Sequence, residues 1–174
     1  MTIELRGDAV TLRAFRPDEY GMALARLPGD ARDPEKARIR RMRVERSGTR
    51  TSVELFMVVE AGGKLVGDVQ GRSVEMAMPP GVWEIGIELW NEPDRGRGHG
   101  REAVALLTSH LFEGENAHRV QASTDVGNAA MRRVLEALGF TDEGTLRGFM
   151  PNGGGPPRDY EMYAVTKEDW TRKH

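Results

Sequence analysis

Residues Trp83–Trp90 read WEIGIELW, and shortly after them Arg95–Gly100 read RGRGHG. In the first stretch Trp83, Ile85, Ile87 and Leu89 fall on one side of an extended chain, and Glu84, Gly86 and Glu88 on the other. That is the period of a strand with one apolar face. The second stretch sets glycines at 96, 98 and 100 among Arg95, Arg97 and Arg101. From Arg101 to about Glu113, Ala103, Leu106, Leu107, His110 and Leu111 recur at helical spacing. A strand therefore turns through a basic glycine loop into a helix. The first amides of a helix lack internal partners and sit at the positive end of its dipole. Glycine lets a phosphate approach such amides closely. The stretch predicts a pyrophosphate site at the glycines and the helix start, with charge from Arg95, Arg97 and Arg101.

Two common nucleotide loops are excluded. A P-loop needs Lys followed by Ser or Thr after its last glycine, and this chain has Arg101-Glu102 there. A dinucleotide fingerprint needs G-x-G-x-x-G after the first strand, whereas this loop is G-x-G-x-G and lies past the middle. A tight turn with a basic rim remains as the plain structural alternative.

Outward from the loop, strands are expected at Val10–Phe15, Glu54–Ala61, Leu65–Val74, Arg119–Thr124, Thr141–Phe149 and Tyr160–Val165. Gly62-Gly63 reads as a hairpin turn, and Pro79-Pro80-Gly81 and Pro151–Pro157 as loops. Pro17-Asp18-Glu19 opens one helix and Pro34–Arg46 forms a second at the surface. Asn128–Leu138 forms another, with Met131, Val134, Leu135 and Leu138 on one face and Gly139 as its left-handed stop. The order predicts an α/β (α+β) fold: a mixed, mostly antiparallel sheet of about seven strands flanked by about four helices.

With 174 residues, 39% of them apolar and 30% charged, the chain suits a single domain over 1–174. No apolar run reaches the roughly 20 residues of a membrane span, and the start MTIELRGDAV lacks a signal-peptide layout. The expectation is a cytoplasmic protein without membrane contact. Cysteine is absent, which excludes disulfides, thiolate metal sites and a cysteine nucleophile. His99, His110, His118 and His174 show no ligand spacing, so no metal is expected. Residues 31–50 carry eight basic side chains (Arg32, Lys36, Arg38, Arg40, Arg41, Arg43, Arg46, Arg50) against three acidic ones. They read as a solvated helix face, or as a rim attracting an acidic acceptor. Without interleaved aromatics, and at net charge −2, a nucleic-acid partner is not expected.

Arg95, Gly98 and Gly100 meet the pattern R/Q-x-x-G-x-G/A, EIGIELW precedes it, and NAAMRRVLEALGF (Asn128–Phe140) follows. In these motifs the chain resembles the GNAT superfamily of N-acetyltransferases. VTLRAFRPDEY and DYEMYAVTKEDW add a resemblance to the branch with the ribosomal-protein alanine acetyltransferases. The resemblance spans nearly the whole chain. It implies acetyl-CoA as co-substrate and a fourth and fifth strand that splay around the pantetheine arm. Backbone groups of Ile87, Leu89 and Trp90 would bond the arm on one side and Asn128 on the other, and the amides of Arg97, Gly98, His99, Gly100 and Arg101 would hold the pyrophosphate. Arg133 would reach a phosphate, though an exposed helix residue is the plainer reading.

The implied reaction is direct attack of a primary amine on the thioester in a ternary complex. It needs a base for the ammonium, a donor for the oxyanion and a proton for the thiolate. Glu88 and Glu84 are the base candidates, with Glu88 nearer the cleft and Asp125 behind them. Two glutamates at strand spacing also fit a plain solvent edge. For the acid the chain departs from its relatives: Leu135 stands where many carry tyrosine, and Met131 where the ribosomal branch often has serine. Tyr160 and Tyr163 are the remaining hydroxyls. The acceptor is expected to be a protein N-terminus or a small amine, and the protein a monomer or homodimer. The alternative is a non-catalytic acyl-CoA-binding or sensor domain of the same fold.

Overall fold

The computed structural model describes residues 2–26, 33–74 and 80–174. Arg32 of the basic run and Pro79 of the expected proline loop lie outside them. Among the described residues the chain forms eight strands and five helices. In chain order these are β1 (Leu5–Arg6), β2 (Val10–Arg13), α1 (Tyr20–Arg26), α2 (Pro34–Glu45), β3 (Glu54–Ala61), β4 (Lys64–Ser73) and β5 (Val82–Leu89). They continue with α3 (His99–Glu113), β6 (Arg119–Asp125), α4 (Ala129–Leu138), β7 (Thr141–Asn152), β8 (Gly155–Thr166) and α5 (Lys167–Lys173). The sheet order is β1-β2-β3-β4-β5-β6-β8-β7. β5 and β6 run parallel, while β1/β2, β2/β3, β6/β8 and β7/β8 are antiparallel. Because β1 precedes them, the expected fourth and fifth strands are β5 and β6. Their pairing covers only Val82–Glu84 against Arg119–Gln121, so β5 continues past it from Ile85 to Leu89.

The residues group into two compact units. One is residues 2–70 with Ile87–Leu106, the other Gly71–Gly86 with Leu107–His174. In the first, Phe15, Ala23, Val44, Phe56 and Val58 form a core against which Trp90 and Leu65 pack. Arg13 is nearly buried and bridges Glu19 and Glu60. Its guanidinium holds the Glu19 carboxyl below its ordinary pKa, against the opposing effect of burial. In the second, Trp170 of α5 packs on Phe112 and Phe140 at ring distances of 6.1 and 6.4 Å.

Two elements were not expected, and two expectations need correction. β1 is two residues long, too short for any periodic signal. α5 was not expected; Thr166 Oγ1 caps it by accepting the Asp169 N–H, and its buried Trp170 anchors it. Pro151–Pro157 is not a loop but the tip of the β7–β8 hairpin. The chain reverses at Gly153 and Gly154, both with positive φ, and shifts of register absorb the prolines. Pro151 lies in β7, the last strand in the sheet order, and Pro156 and Pro157 lie in β8 outside its pairing with β6 (Tyr160–Thr166), so residues without an N–H are tolerated there. Finally, the buried stripe of α3 is rotated: Ala103, Leu107 and Leu111 are buried as expected, but Val104 and Thr108 join them instead of Leu106 and His110.

Candidate active site

The glycine loop takes the form its residues require. Gly96 and Gly98 have φ of 72° and 86°, the left-handed region, and a Cβ on either would meet open space. These two glycines serve the turn rather than close approach. Gly98 C=O accepts the Glu102 N–H at 3.0 Å, which makes Gly98 the cap of α3. The amides of His99, Gly100 and Arg101 then stand at the open end of a 15-residue helix. Gly100 has no such φ, and a Cβ there would rest on Leu89 Cδ1 at 3.6 Å and Ile87 Cδ1 at 3.8 Å. Arg95 donates through Nη2 to the Leu89 carbonyl at 3.1 Å, tying the loop back to β5. Arg97 and Arg101 are exposed. His99 Nδ1 is buried without a hydrogen-bond partner. Glu102 accepts the N–H groups of Asp8 and Ala9, fastening the start of α3 to the β1–β2 turn.

The end of β5 passes close to β4 at one point. A Cβ on Gly67 of β4 would overlap the Glu88 carbonyl oxygen, so this close passage of two backbones requires glycine. Trp90 N–H donates to Val66 C=O at 2.9 Å. The alternation that turns this amide to β4 turns the backbone groups of Ile87 and Leu89 to the opposite edge. The backbone groups of Ile87 and Leu89 thus face away from β4, with the Leu89 carbonyl taken by Arg95, and the amide of Trp90 is engaged by Val66. The indole of Trp90 packs away from α3, stacked on Phe15 at 6.4 Å with the Arg26 guanidinium 5.0 Å from its centre.

The carboxylates separate clearly. The bonds Trp90 N–H to Val66 and Val74 N–H to Val82 set one register, in which Arg72 opposes Glu84 and Asp68 opposes Glu88. Glu84 is engaged by Arg72 at 3.4 Å and by the Gln121 amide at 3.3 Å. Glu88 is exposed. Asp68 is only 9% exposed, and Trp90 Nε1 donates to its Oδ2 at 2.7 Å. Burial pushes the Asp68 carboxyl up to about 6; the Trp90 and Arg43 contributions oppose this, and the Glu88 and Glu54 charges add to it. Asp68 was not singled out from the sequence. Its signal was a lone carboxylate between Val66 and Val69 in the middle of an apolar strand.

In the second unit, Ser123, Thr124, Asp125, Gly127, Asn128, Arg158 and Tyr160 line a polar hollow of about 560 Å³. Asn128 Oδ1 accepts the Met131 N–H at 3.2 Å and caps α4, which leaves its side-chain NH₂ as a donor. Asp125 accepts the Gly127 N–H at 2.8 Å, with Arg158 Nη1 3.0 Å from its other oxygen. Arg133 is exposed, and Leu135 is fully buried. Tyr163 is buried and shares its hydroxyl with Arg132, Glu136 and Glu161. Tyr160 lines the hollow and packs on Phe149 at 5.6 Å. The basic run is largely matched within the first unit: Arg38 with Glu35, Arg41 with Glu45 and Arg43 with Glu54.

This geometry has counterparts among known proteins. The chain is 33% identical over 84 residues to the uncharacterized N-acetyltransferase YoaA of Bacillus subtilis, covering 48% of this chain and 46% of that one. It spans about half the length of the curated relatives it matches. Two solved structures share its fold. Mycobacterium smegmatis RimJ in complex with CoA-disulfide has a TM-score of 0.74 at 24% identity, over 96% of this chain and 87% of that one. Ribosomal-protein-S5-alanine acetyltransferase from Vibrio fischeri has 0.77 at 21%, over 97% and 98%. The acetyltransferase (GNAT) domain model matches residues 3–141, and the chain belongs to that family.

Proposed function

We propose that residues 1–174 act as one acetyl-CoA-dependent N-acetyltransferase domain, moving the acetyl group to a primary amine by direct attack in a ternary complex. The observation that carries this reading is the left-handed glycine turn feeding the open amides of α3, beside a β5 whose Ile87 and Leu89 backbone faces away from β4. Donors at the helix start suit the pyrophosphate. The edge of β5 beyond its pairing with β6 suits the amide groups of the pantetheine arm, and its N–H groups supply an oxyanion donor. Gly98, His99, Gly100, Arg101 and Arg97 hold the pyrophosphate in this reading. Asn128 adds its free NH₂, and Arg133 reaches a phosphate from its exposed position.

Glu88 is the base, directly or through water, because it is exposed while Glu84 is engaged by Arg72 and Gln121. The acceptor ammonium gives up a proton, its nitrogen attacks the thioester carbon and the C–S bond breaks. The second proton leaves the nitrogen, and the thiolate is protonated. Tyr160 serves that last step rather than Tyr163 in this reading, since the Tyr163 hydroxyl is shared among three partners. The acceptor is a protein N-terminus or a small amine such as a polyamine, the classes named for structures of this fold.

The test is calorimetric acetyl-CoA binding together with thiol release and product mass spectrometry over a panel of amines and alanine-initiated peptides. Micromolar binding with acetylated product is expected. Tight binding without thiol release on any acceptor would leave an acyl-CoA sensor in its place.

A further inference from the structure

Buried carboxylates directly across a strand pair repel, and sheets ordinarily place an opposite charge there. β4 and β5 follow that rule at Arg72–Glu84, an ion pair of 3.4 Å. They break it at Asp68–Glu88. Among the described residues no cation forms an ion pair with Asp68. The Arg43 guanidinium of α2 is bound to Glu54 of β3 at 2.7 Å and to the Gln70 side-chain carbonyl. Arg26 of α1 lies over the Trp90 ring. The Trp90 indole N–H is the hydrogen bond that fixes Asp68. Glu88 and Glu54 face it as like charges, and Arg43 as an opposite charge already engaged. The pair thus consists of an outer, exposed carboxylate and an inner, buried one held in a fixed orientation.

We propose that Asp68 is a further residue of the reaction: it receives, from Glu88, the proton that the acceptor ammonium loses. This rests on the reading of Glu88 as base given above. The first proton passes from the ammonium nitrogen to Glu88 and on to Asp68, leaving a neutral amine that attacks the thioester. After the C–N bond forms and the C–S bond breaks, the second nitrogen proton goes to the sulfur. The proton on Asp68 returns to solvent, so the turnover releases thiol, amide and one proton. Storing the proton on the inner carboxylate removes the like-charge repulsion of the pair. It also keeps the proton from returning to the amine during attack. A carboxyl that titrates near the working pH suits the task.

The experiment uses the full chain and two readouts. In carbon-13 NMR titrations of the aspartate carboxyls, Asp68 should titrate near pH 6. Its midpoint should fall in Glu88→Gln, which removes a like charge, and rise in Trp90→Phe, which removes a bond favouring the ionised form. In steady-state assays with spermidine and an alanine-initiated peptide as acceptors, Asp68→Asn should lower kcat at least tenfold and abolish the acid-side inflection of kcat/KM. Acetyl-CoA affinity should stay within twofold, and Asp68→Glu should restore part of the rate. A Asp68 midpoint unmoved by Glu88→Gln, or an Asp68→Asn enzyme that keeps both rate and inflection, overturns the proposal. If the wild type transfers to no acceptor, the functional reading fails, and the NMR arm still decides whether the two carboxylates share a proton.

Discussion

The two ends of β5 have nearly the same sequence texture and opposite physical situations. At Val82–Glu84 the strand is paired with β6, and Glu84 is neutralised by Arg72 and held by Gln121. At Ile87–Leu89 the strand is past that pairing, Glu88 is exposed, and across from it stands the buried carboxylate of Asp68. One end pairs its backbone with β6 and ties its glutamate to Arg72 and Gln121, and the other carries an exposed glutamate beyond that pairing. The difference teaches that spacing along a strand places a residue on a face, whereas the cross-strand neighbour decides whether it is structural or reactive.

The sharpest way to break this comparison is to neutralise each glutamate in turn. Glu88→Gln should lower kcat about 10²–10⁴-fold, the usual range for losing a general base, with acetyl-CoA affinity preserved by calorimetry. Glu84→Gln should change kcat only a few-fold and stability by at most about 1 kcal/mol, as for a partly exposed ion pair. Equal losses in both variants would erase the distinction.

A second test acts on the backbone of the same strand. Gly67→Ala forces a methyl into the Glu88 carbonyl. It should cost about 1–3 kcal/mol, the usual penalty of overpacking. It should also weaken acetyl-CoA binding, because the end of β5 must shift. Thermal unfolding and calorimetry check both parts, and binding at wild-type strength would show that this close passage does not position the site.

The third test concerns pH and stability. The folded-state pKa of Asp68, about 6, lies above its ordinary value of 3.8. A raised carboxyl pKa means the fold favours the protonated form, so this group destabilises the protein once pH rises above the ordinary value. The full cost is reached above about pH 6 and is on the order of 2–3 kcal/mol. Asp68→Asn should therefore raise Tm by several degrees at pH 8 and by little at pH 4, measured by calorimetry. A stability gain independent of pH would contradict the assignment. The smallest effect is expected at Gly100→Ala. Its methyl would rest at ordinary contact distance on Leu89 and Ile87, and acetyl-CoA affinity should change less than threefold. Gly98→Ala is the harsher partner, since φ of 86° strains any side chain.

Much of the site was legible because its determinants are local. Alternation in WEIGIELW requires a strand, glycines at 96 and 98 require a left-handed turn, and Asn128 with Gly139 marks both ends of α4. The α3 stripe was misread by a fraction of a turn because Thr108 is polar yet fully buried, and burial is fixed by what packs on a helix. The proline-rich hairpin was misread as a loop because prolines forbid a strand paired on both sides but not the hairpin's tip, where β7 is the last strand and β8 has not yet reached its pairing with β6.

The sequence by itself determined the strand–turn–helix of the candidate site, the caps of α4, the mixed sheet and the absence of cysteine chemistry. The first two follow from backbone dihedrals or from a period within one segment, the third from the order of the elements and the last from composition. Only the tertiary structure decided that Glu84 is tied and Glu88 exposed, that the Trp90 amide belongs to β4, and that Asp68 stands opposite Glu88. Those outcomes depend on register between strands, and a one-residue slip, invisible in either strand alone, would have reversed every pair.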